Sequence, residues 1–229
     1  MAGFLNHIID LFFPNLCLVC DEGLVSGEEQ LCLSCFNKIH KTNYHLAKDN
    51  PVEKRFWGKV QLERASSYFF FQKGSDFQKL IHELKYRGNK EIGIVLGKYA
   101  ALDLLQSEDF NSIDVIIPVP LHKKKLAKRG YNQSDQIGIG ISKIMEKPLT
   151  THNLVRKLES ATQTKKSVFE RFENTQGIFE LKNPDELAGK HILLVDDVLT
   201  TGSTLEACVH SLKEAEDVKV SVFTLAVAT

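Results

Sequence analysis

Ile192-Leu193-Leu194-Val195-Asp196-Asp197-Val198-Leu199-Thr200-Thr201-Gly202-Ser203-Thr204 is the stretch from which the rest of the chain is read. The apolar run from Ile192 to Val195 predicts a strand buried on both faces, as in a parallel sheet. An acidic pair ends it, and a Thr/Gly/Ser-rich turn follows. Leu205, Cys208, Val209 and Leu212 then recur at helical spacing, so a helix is expected to start at the turn. A strand–turn–helix junction of this kind gathers unpaired backbone N–H groups, hydroxyl donors and the positive end of a helix dipole, which together suit a phosphate. The two carboxylates would repel a phosphate directly. Beside one they suit sugar hydroxyls or a divalent cation.

Two other readings compete. Ser203-x-x-Glu206 fits a helix capping box, which needs no ligand. Strands ending in Asp-Asp also occur in receiver domains and nucleotide hydrolases, where the acids bind magnesium. Neither accounts for both the acids and the run Thr200–Thr204 in one place.

At 229 residues the chain can bury one sizeable core and carry an appendage. Lys plus Arg and Asp plus Glu both total 29, so no global field attracts nucleic acid, and any such binding needs a local patch. The apolar run from Phe4 to Phe13 is interrupted by His7 and Asp10 and is too short to span a bilayer. Without a basic leader or cleavage site it does not read as a signal peptide, and the expected compartment is the cytoplasm. Phe4, Leu5, Ile8, Ile9, Phe12 and Phe13 instead predict an amphipathic helix stopped by Pro14, docked on the protein body or, less simply, on a membrane surface.

Cys17-x-x-Cys20 and Cys32-x-x-Cys35 are matched pairs with metal-ligand spacing. Four thiolates close a tetrahedral zinc site, so the zinc would be structural; a redox role would need only one pair. Tyr44 to Lys59 lacks periodicity and reads as a linker between an N-terminal module over 1–50 and a larger domain over 60–229. A strand is expected near Ala65–Phe71. Helices are expected through Phe77–Leu84 and Ile92–Leu102, a second buried strand at Ile113–Pro120 and a last one at Val218–Val227.

Three basic or polar stretches accompany this frame. Lys85-Tyr86-Arg87-Gly88 closes the first helix, where cations also suit the helix dipole. Leu121-His122-Lys123-Lys124-Lys125 and Lys128-Arg129-Gly130-Tyr131-Asn132-Gln133 follow the second strand as a basic turn and helix start. They fall at the carboxyl end of that strand, where open α/β sheets bind ligands and a pyrophosphate finds cations and amides. Arg156-Lys157, through Thr162-Gln163-Thr164 to Arg171, lacks a sustained apolar face until Val168, and its first part reads as a mobile loop.

The paired Cys motifs, Leu84–Gly88, Pro118-Val119-Pro120-Leu121, Arg129–Gln133, Thr162-Gln163 and the Asp196–Thr204 run together resemble the competence protein F family, the GntX-like phosphoribosyltransferase homologues. The last run resembles the phosphoribosyl pyrophosphate (PRPP) signature of type I phosphoribosyltransferases. The resemblance implies an α/β fold with a mainly parallel sheet flanked by helices, preceded by a four-cysteine zinc finger, and a role in handling incoming DNA during natural transformation. It places ribose hydroxyls on Asp196 and Asp197, the 5-phosphate on Thr200, Thr201, Gly202, Ser203 and Thr204, and a pyrophosphate loop at Leu121-His122-Lys123. By place it puts a catalytic loop at Arg156.

Read from the residues, Lys85, Arg87, Arg129, Asn132 and Gln133 are further candidates for the pyrophosphate with its magnesium. The same cations, with Tyr86 and Tyr131, could serve single-stranded DNA in an accessory protein whose PRPP site is a sensor or remnant. The zinc finger could dock competence-machinery proteins. No nucleophile and no acceptor pocket is legible.

Overall fold

In the computed structural model, which describes residues 14–157 and 177–228, the run at Ile192 forms strand β5 (His191–Leu199). It is an inner strand of a four-stranded sheet in the order β1 (Ala65–Phe71), β6 (Lys219–Ala228), β5, β2 (Val115–Pro118). Every pairing is parallel. Residues 148–150 extend the β2 edge, where Ile116 N–H donates to Pro148 C=O and Thr150 N–H to Ile116 C=O, both at 2.9 Å. The acids do not end β5, which runs on to Leu199 because Val198 and Leu199 still pair with Ala226 and Val227 of β6.

Side-chain alternation along the strands sorts two cores. On one face Leu193, Val195, Phe223, Leu225 and Ile116 meet three helices: α3 (Asp76–Tyr86), α4 (Glu91–Leu104) and α7 (Gln133–Met145). On the other, Ile192, Leu194, Val115, Ile117, Val220 and Val222 meet α8 (Ser203–Leu212) and a small antiparallel hairpin of β3 (Leu154–Arg156) and β4 (Phe179–Leu181). Helix α7, which periodicity did not reveal, carries Gly138 and Gly140, poor helix formers. They are there for packing: a Cβ at Gly140 would run into the Ile94 carbonyl of α4, and one at Gly97 into the Ile137 carbonyl of α7.

The cysteine module is sewn onto the sheet edge. Thr42 N–H donates to Tyr68 C=O at 2.9 Å and Phe70 N–H to His40 C=O at 3.2 Å, which covers the free edge of β1. Phe36, on the short helix α1 (Leu33–Lys38), packs on Phe69 and Tyr99. Gln30 reaches Asn89 at 2.7 Å and Glu29 reaches Lys98 at 2.7 Å.

Two expectations need correction. Tyr44 to Lys59 is no slack linker: it holds a 3-10 turn at Tyr44–Leu46 and helix α2 (Pro51–Lys54), and it buries Val52 and Phe56. Asn50 accepts from Val52 and Glu53 N–H while Glu53 reaches back, a capping box that fixes a helix too short to show periodicity. Arg156 is also not in a loop; it ends β3, paired with Phe179 and stacked on its ring at 5.4 Å. The helix expected at Phe4–Phe13 and the stretch beyond Lys157, including Thr162-Gln163 and reaching Arg171, lie outside the described residues. Glu108–Asn111 forms α5 and the basic turn forms α6 (Lys123–Arg129). Among the described residues no helix is long and apolar enough to cross a membrane.

Candidate ligand site at the carboxyl edge of the sheet

All four parallel strands deliver their carboxyl ends to one edge, and β5 brings Asp196 and Asp197 there. Consecutive strand residues face opposite ways. Asp196 Oδ1 accepts from Ser134 Oγ and from Asp197 N–H, each at 2.9 Å. Asp197 Oδ2 pairs instead with Lys85 Nζ of α3 at 2.8 Å. Loss of hydration, then the neighbouring Asp197 charge, push the half-buried Asp196 up to about 7 against the relief from Asp197 N–H, Ser134 and Lys85. A carboxyl raised this far at the edge of a cleft makes Asp196 a candidate site residue.

After Leu199 the chain turns through Thr200, Thr201 and Gly202. Gly202 adopts φ 90°, a left-handed conformation that favours glycine, and caps α8 without a side-chain bond. The capping box at Ser203 and Glu206 is therefore not formed. Ser203 Oγ lies 3.2 Å from Thr201 Oγ1, and Glu206 is paired elsewhere. Thr200, Thr201, Ser203 and Thr204 stay exposed. With Asp196 they line a small cleft of about 40 Å³ at the amino end of α8. Ser203 N–H is turned to Thr201 Oγ1 at 3.5 Å, and the positive end of the α8 dipole lies at this cleft.

The basic turn stands alongside. Val119 N–H donates to Val195 C=O at 2.8 Å, so the chain leading into Leu121 and His122 leaves β2 beside β5. His122 caps α6 by accepting from Lys124 N–H at 3.1 Å, and Lys123, Lys124, Lys125 and Lys128 are all exposed. Arg129 donates to Gln133 Oε1 at 2.6 Å and lies 5.3 Å from the Tyr86 ring centre. Asn132 is turned inward: its amide donates to Val119 C=O at 3.0 Å and to Asp135 Oδ1 at 2.6 Å, and it caps α7. Gln133 is buried with Arg129 and Tyr131 as partners. These two residues hold the loop in place more directly than they face solvent. Arg87 is exposed at the end of α3. Tyr131 OH donates to Leu84 C=O, tying the basic loop to α3.

Several members of the site were not legible in the sequence. Ser134 and Asp135 are among them, although Asn132-x-x-Asp135 has the spacing of an N-cap with an acidic third position. Burial pushes Asp135 up to about 6, against the Asn132 amide. A second, larger cavity of about 470 Å³ adjoins the Thr200–Thr204 cleft through Val198 and Thr200. Phe71, Ile81, His82, Tyr86, Lys85 and Asp197 help to line it.

The four cysteines meet in the N-terminal module. Their Sγ atoms all lie within 4.8 Å of one another, and Cys20 and Cys32 are 3.9 Å apart. A tetrahedral zinc centre with four thiolates has an S–S edge of about 3.8 Å. Cys32 N–H points at Cys17 Sγ and Cys35 N–H at Cys32 Sγ, both at 3.4 Å. Although burial opposes it, backbone donors from Cys32, Cys20 and Val19 bring Cys17 down to about 7. Burial and then the neighbouring sulfurs drive Cys35 up, a cost that a bound cation would offset. The donor set fits one closed, structural zinc.

These features define a phosphoribosyl transferase domain behind a zinc ribbon. The phosphoribosyl transferase domain family matches residues 89–228 and the double zinc ribbon domain residues 8–46. DNA utilization protein YhgH of Escherichia coli O157:H7 is 32% identical over 85% of this chain and 89% of its own. Competence protein ComFC of Bacillus subtilis is 27% identical over 92% of this chain and 94% of its own. A crystal structure of adenine phosphoribosyltransferase aligns with 66% of this chain and 75% of its own, at 14% identity and a TM-score of 0.40. The chain belongs to the phosphoribosyl transferase domain family, in the group that holds ComFC and YhgH.

Proposed function

We propose that the protein binds PRPP, or a closely related sugar phosphate, and uses it in handling DNA in the cytoplasm; that relatives carry the names DNA utilization protein and competence protein supports the reading. The observation that carries the reading is the shared edge. Asp196 and the Thr200–Thr204 loop line one cleft, Asp197 lines the larger cavity that shares Val198 and Thr200 with it, and the exposed basic turn follows the carboxyl end of the neighbouring strand β2. Ribose hydroxyls donate to the two carboxylates, the loop amides and hydroxyls of Thr200, Thr201, Gly202, Ser203 and Thr204 take the 5-phosphate, and Leu121-His122-Lys123 faces the pyrophosphate. Lys85, Arg87 and Arg129 are further candidate cations for the pyrophosphate, and Arg156, on β3 against Phe179, is a candidate by sequence position alone.

Magnesium, bound with PRPP, would neutralise the departing pyrophosphate, and carboxylates with sugar and phosphate oxygens are the hard donors it takes. The chain's own part in transfer is positioning and charge stabilisation as the C1–O bond breaks and an acceptor adds at C1. The larger cavity is the natural seat for that acceptor. It adjoins the phosphate cleft, and its walls include Phe71, Ile81 and Tyr86. We read residues 1–50 as the zinc module, which also offers a surface to protein partners, and 60–229 as the catalytic or ligand-sensing body.

One observation favours direct contact with single-stranded DNA. Helix α6 buries none of its residues, and Arg129 at its end lies beside Tyr86, itself 63% exposed. Cations along one helix and an open aromatic face suit a phosphate chain and a stacked base. A search for pyrophosphate release from PRPP, with nucleobases, nucleotides and single-stranded DNA as acceptors, tests the enzyme reading. PRPP binding without release under any acceptor would leave a sensor; absence of both would end the proposal. DNA affinity unchanged after Lys123, Lys124 and Lys128 are replaced would remove the α6 patch.

A further inference from the structure

The phosphate cleft has a charge problem that the segment after α2 resolves. Glu206 lies in the first turn of α8, and its Oε1 would sit 3.4 Å from a Cβ placed on Gly202. A carboxylate is thus folded over the loop that has to accept a dianion. Left alone, it would oppose the helix dipole and the loop amides. The same Oε1 accepts from Lys59 Nζ at 2.7 Å. Lys59 comes from a segment far away in sequence, and three of its residues converge on the loop. Arg55 donates to Thr200 C=O at the loop's first residue and, at 2.7 Å, to Ala228 C=O at the end of β6. Phe56, 1% exposed, puts its ring 3.3 Å from the same Gly202 Cβ position.

We propose that Arg55, Phe56 and Lys59 are positioning residues for the phosphate loop, and that Lys59 makes the cleft competent for a dianionic phosphate by neutralising Glu206. The pair is of little consequence for stability, because the Lys59 side chain is 47% exposed and exposed ion pairs contribute little. Its consequence is local. Arg55 and Phe56 set the shape of the loop, while Lys59 sets the sign of its field. Glu206 adds a charged link to the two that Arg55 and Phe56 already make between this segment and the loop. The carboxylate turns the gap at Gly202 into a seat for a cation, and the segment after α2 supplies it.

The inference rests on the sugar-phosphate reading, and ribose 5-phosphate is the probe that separates the two. Calorimetric titration is made on zinc-loaded wild type, Lys59→Gln and the double variant Lys59→Gln/Glu206→Gln, with thermal unfolding to confirm that all three fold alike. Lys59→Gln is expected to weaken ribose 5-phosphate on the order of tenfold, the effect of one uncompensated charge near a dianion. Removing the Glu206 charge as well is expected to restore wild-type affinity. A merely structural contact would not be rescued by a second loss. Wild-type affinity in the single variant, or no recovery in the double, overturns the inference while leaving the phosphate cleft intact. Failure of wild type to bind ribose 5-phosphate overturns the sugar-phosphate reading itself, and the inference with it.

Discussion

Asp196 gives the sharpest prediction, because its carboxyl is held where it is least comfortable. Its ordinary value is 3.8, and in the folded protein it rises to about 7. Between those values the folded protein keeps a proton that the unfolded chain has lost. Stability therefore falls as pH rises through that window, and the full penalty stands above about 7. At ~1.4 kcal/mol per pH unit the ionised form costs the fold about 4 kcal/mol at most. Water reaching a half-buried carboxylate reduces this to about 1–3 kcal/mol.

In Asp196→Asn, Oδ1 can still accept from Ser134 and from residue 197 N–H, so the change removes charge and little else. Urea unfolding of zinc-loaded protein should show Asn more stable by about 1–3 kcal/mol near pH 8, with the advantage shrinking toward about pH 5. The same variant should no longer be stabilised by PRPP. An Asn variant less stable than wild type near pH 8, or one whose offset does not change with pH, would refute the reasoning.

Further outcomes follow from the packing. Cys17→Ser/Cys20→Ser should release about one zinc per chain, read by metal analysis, and lower the unfolding temperature of the whole protein. The reason is that Phe36 of the ribbon packs on Phe69 and Tyr99 in the main core. Gly140→Ala should destabilise by about 1–3 kcal/mol in urea despite alanine's better helix propensity, since its Cβ meets the Ile94 carbonyl. Tyr86→Ala should leave ribose 5-phosphate affinity unchanged in calorimetry, because Tyr86 lines the larger cavity and not the phosphate cleft.

What the sequence disclosed follows from range. The Ile192–Thr204 run is a local unit, in which strand, acids, turn and helix start are contiguous, and it folds as its residues dictate. The aromatic strand at Ala65–Phe71 and the helix through Phe77 and Leu84 show clear period and are found where expected. The cysteine pairs announced their cluster by spacing. Hidden were the features made by distant partners. Nothing near Lys85 tells that it pairs with Asp197, and nothing near Lys59 tells of Glu206. Helix α2 escaped because four residues show no period, although Asn50 and Glu53 carried its cap. Helix α7 escaped because the glycines that admit α4 are poor helix formers. Asn132 and Gln133 looked like ligands by type; their inward turn is set by Val119, Asp135 and Arg129, which only the fold brings together.

The central claim is that Asp196, Asp197 and the Thr200–Thr204 loop form a PRPP site. Calorimetric titration of zinc-loaded protein with PRPP and magnesium tests it most directly, comparing wild type with Asp196→Asn/Asp197→Asn. Saturable heat in wild type that is lost in the double variant, with both proteins folded, is the predicted result. No heat and no thermal stabilisation in wild type, or equal binding in both, would contradict it.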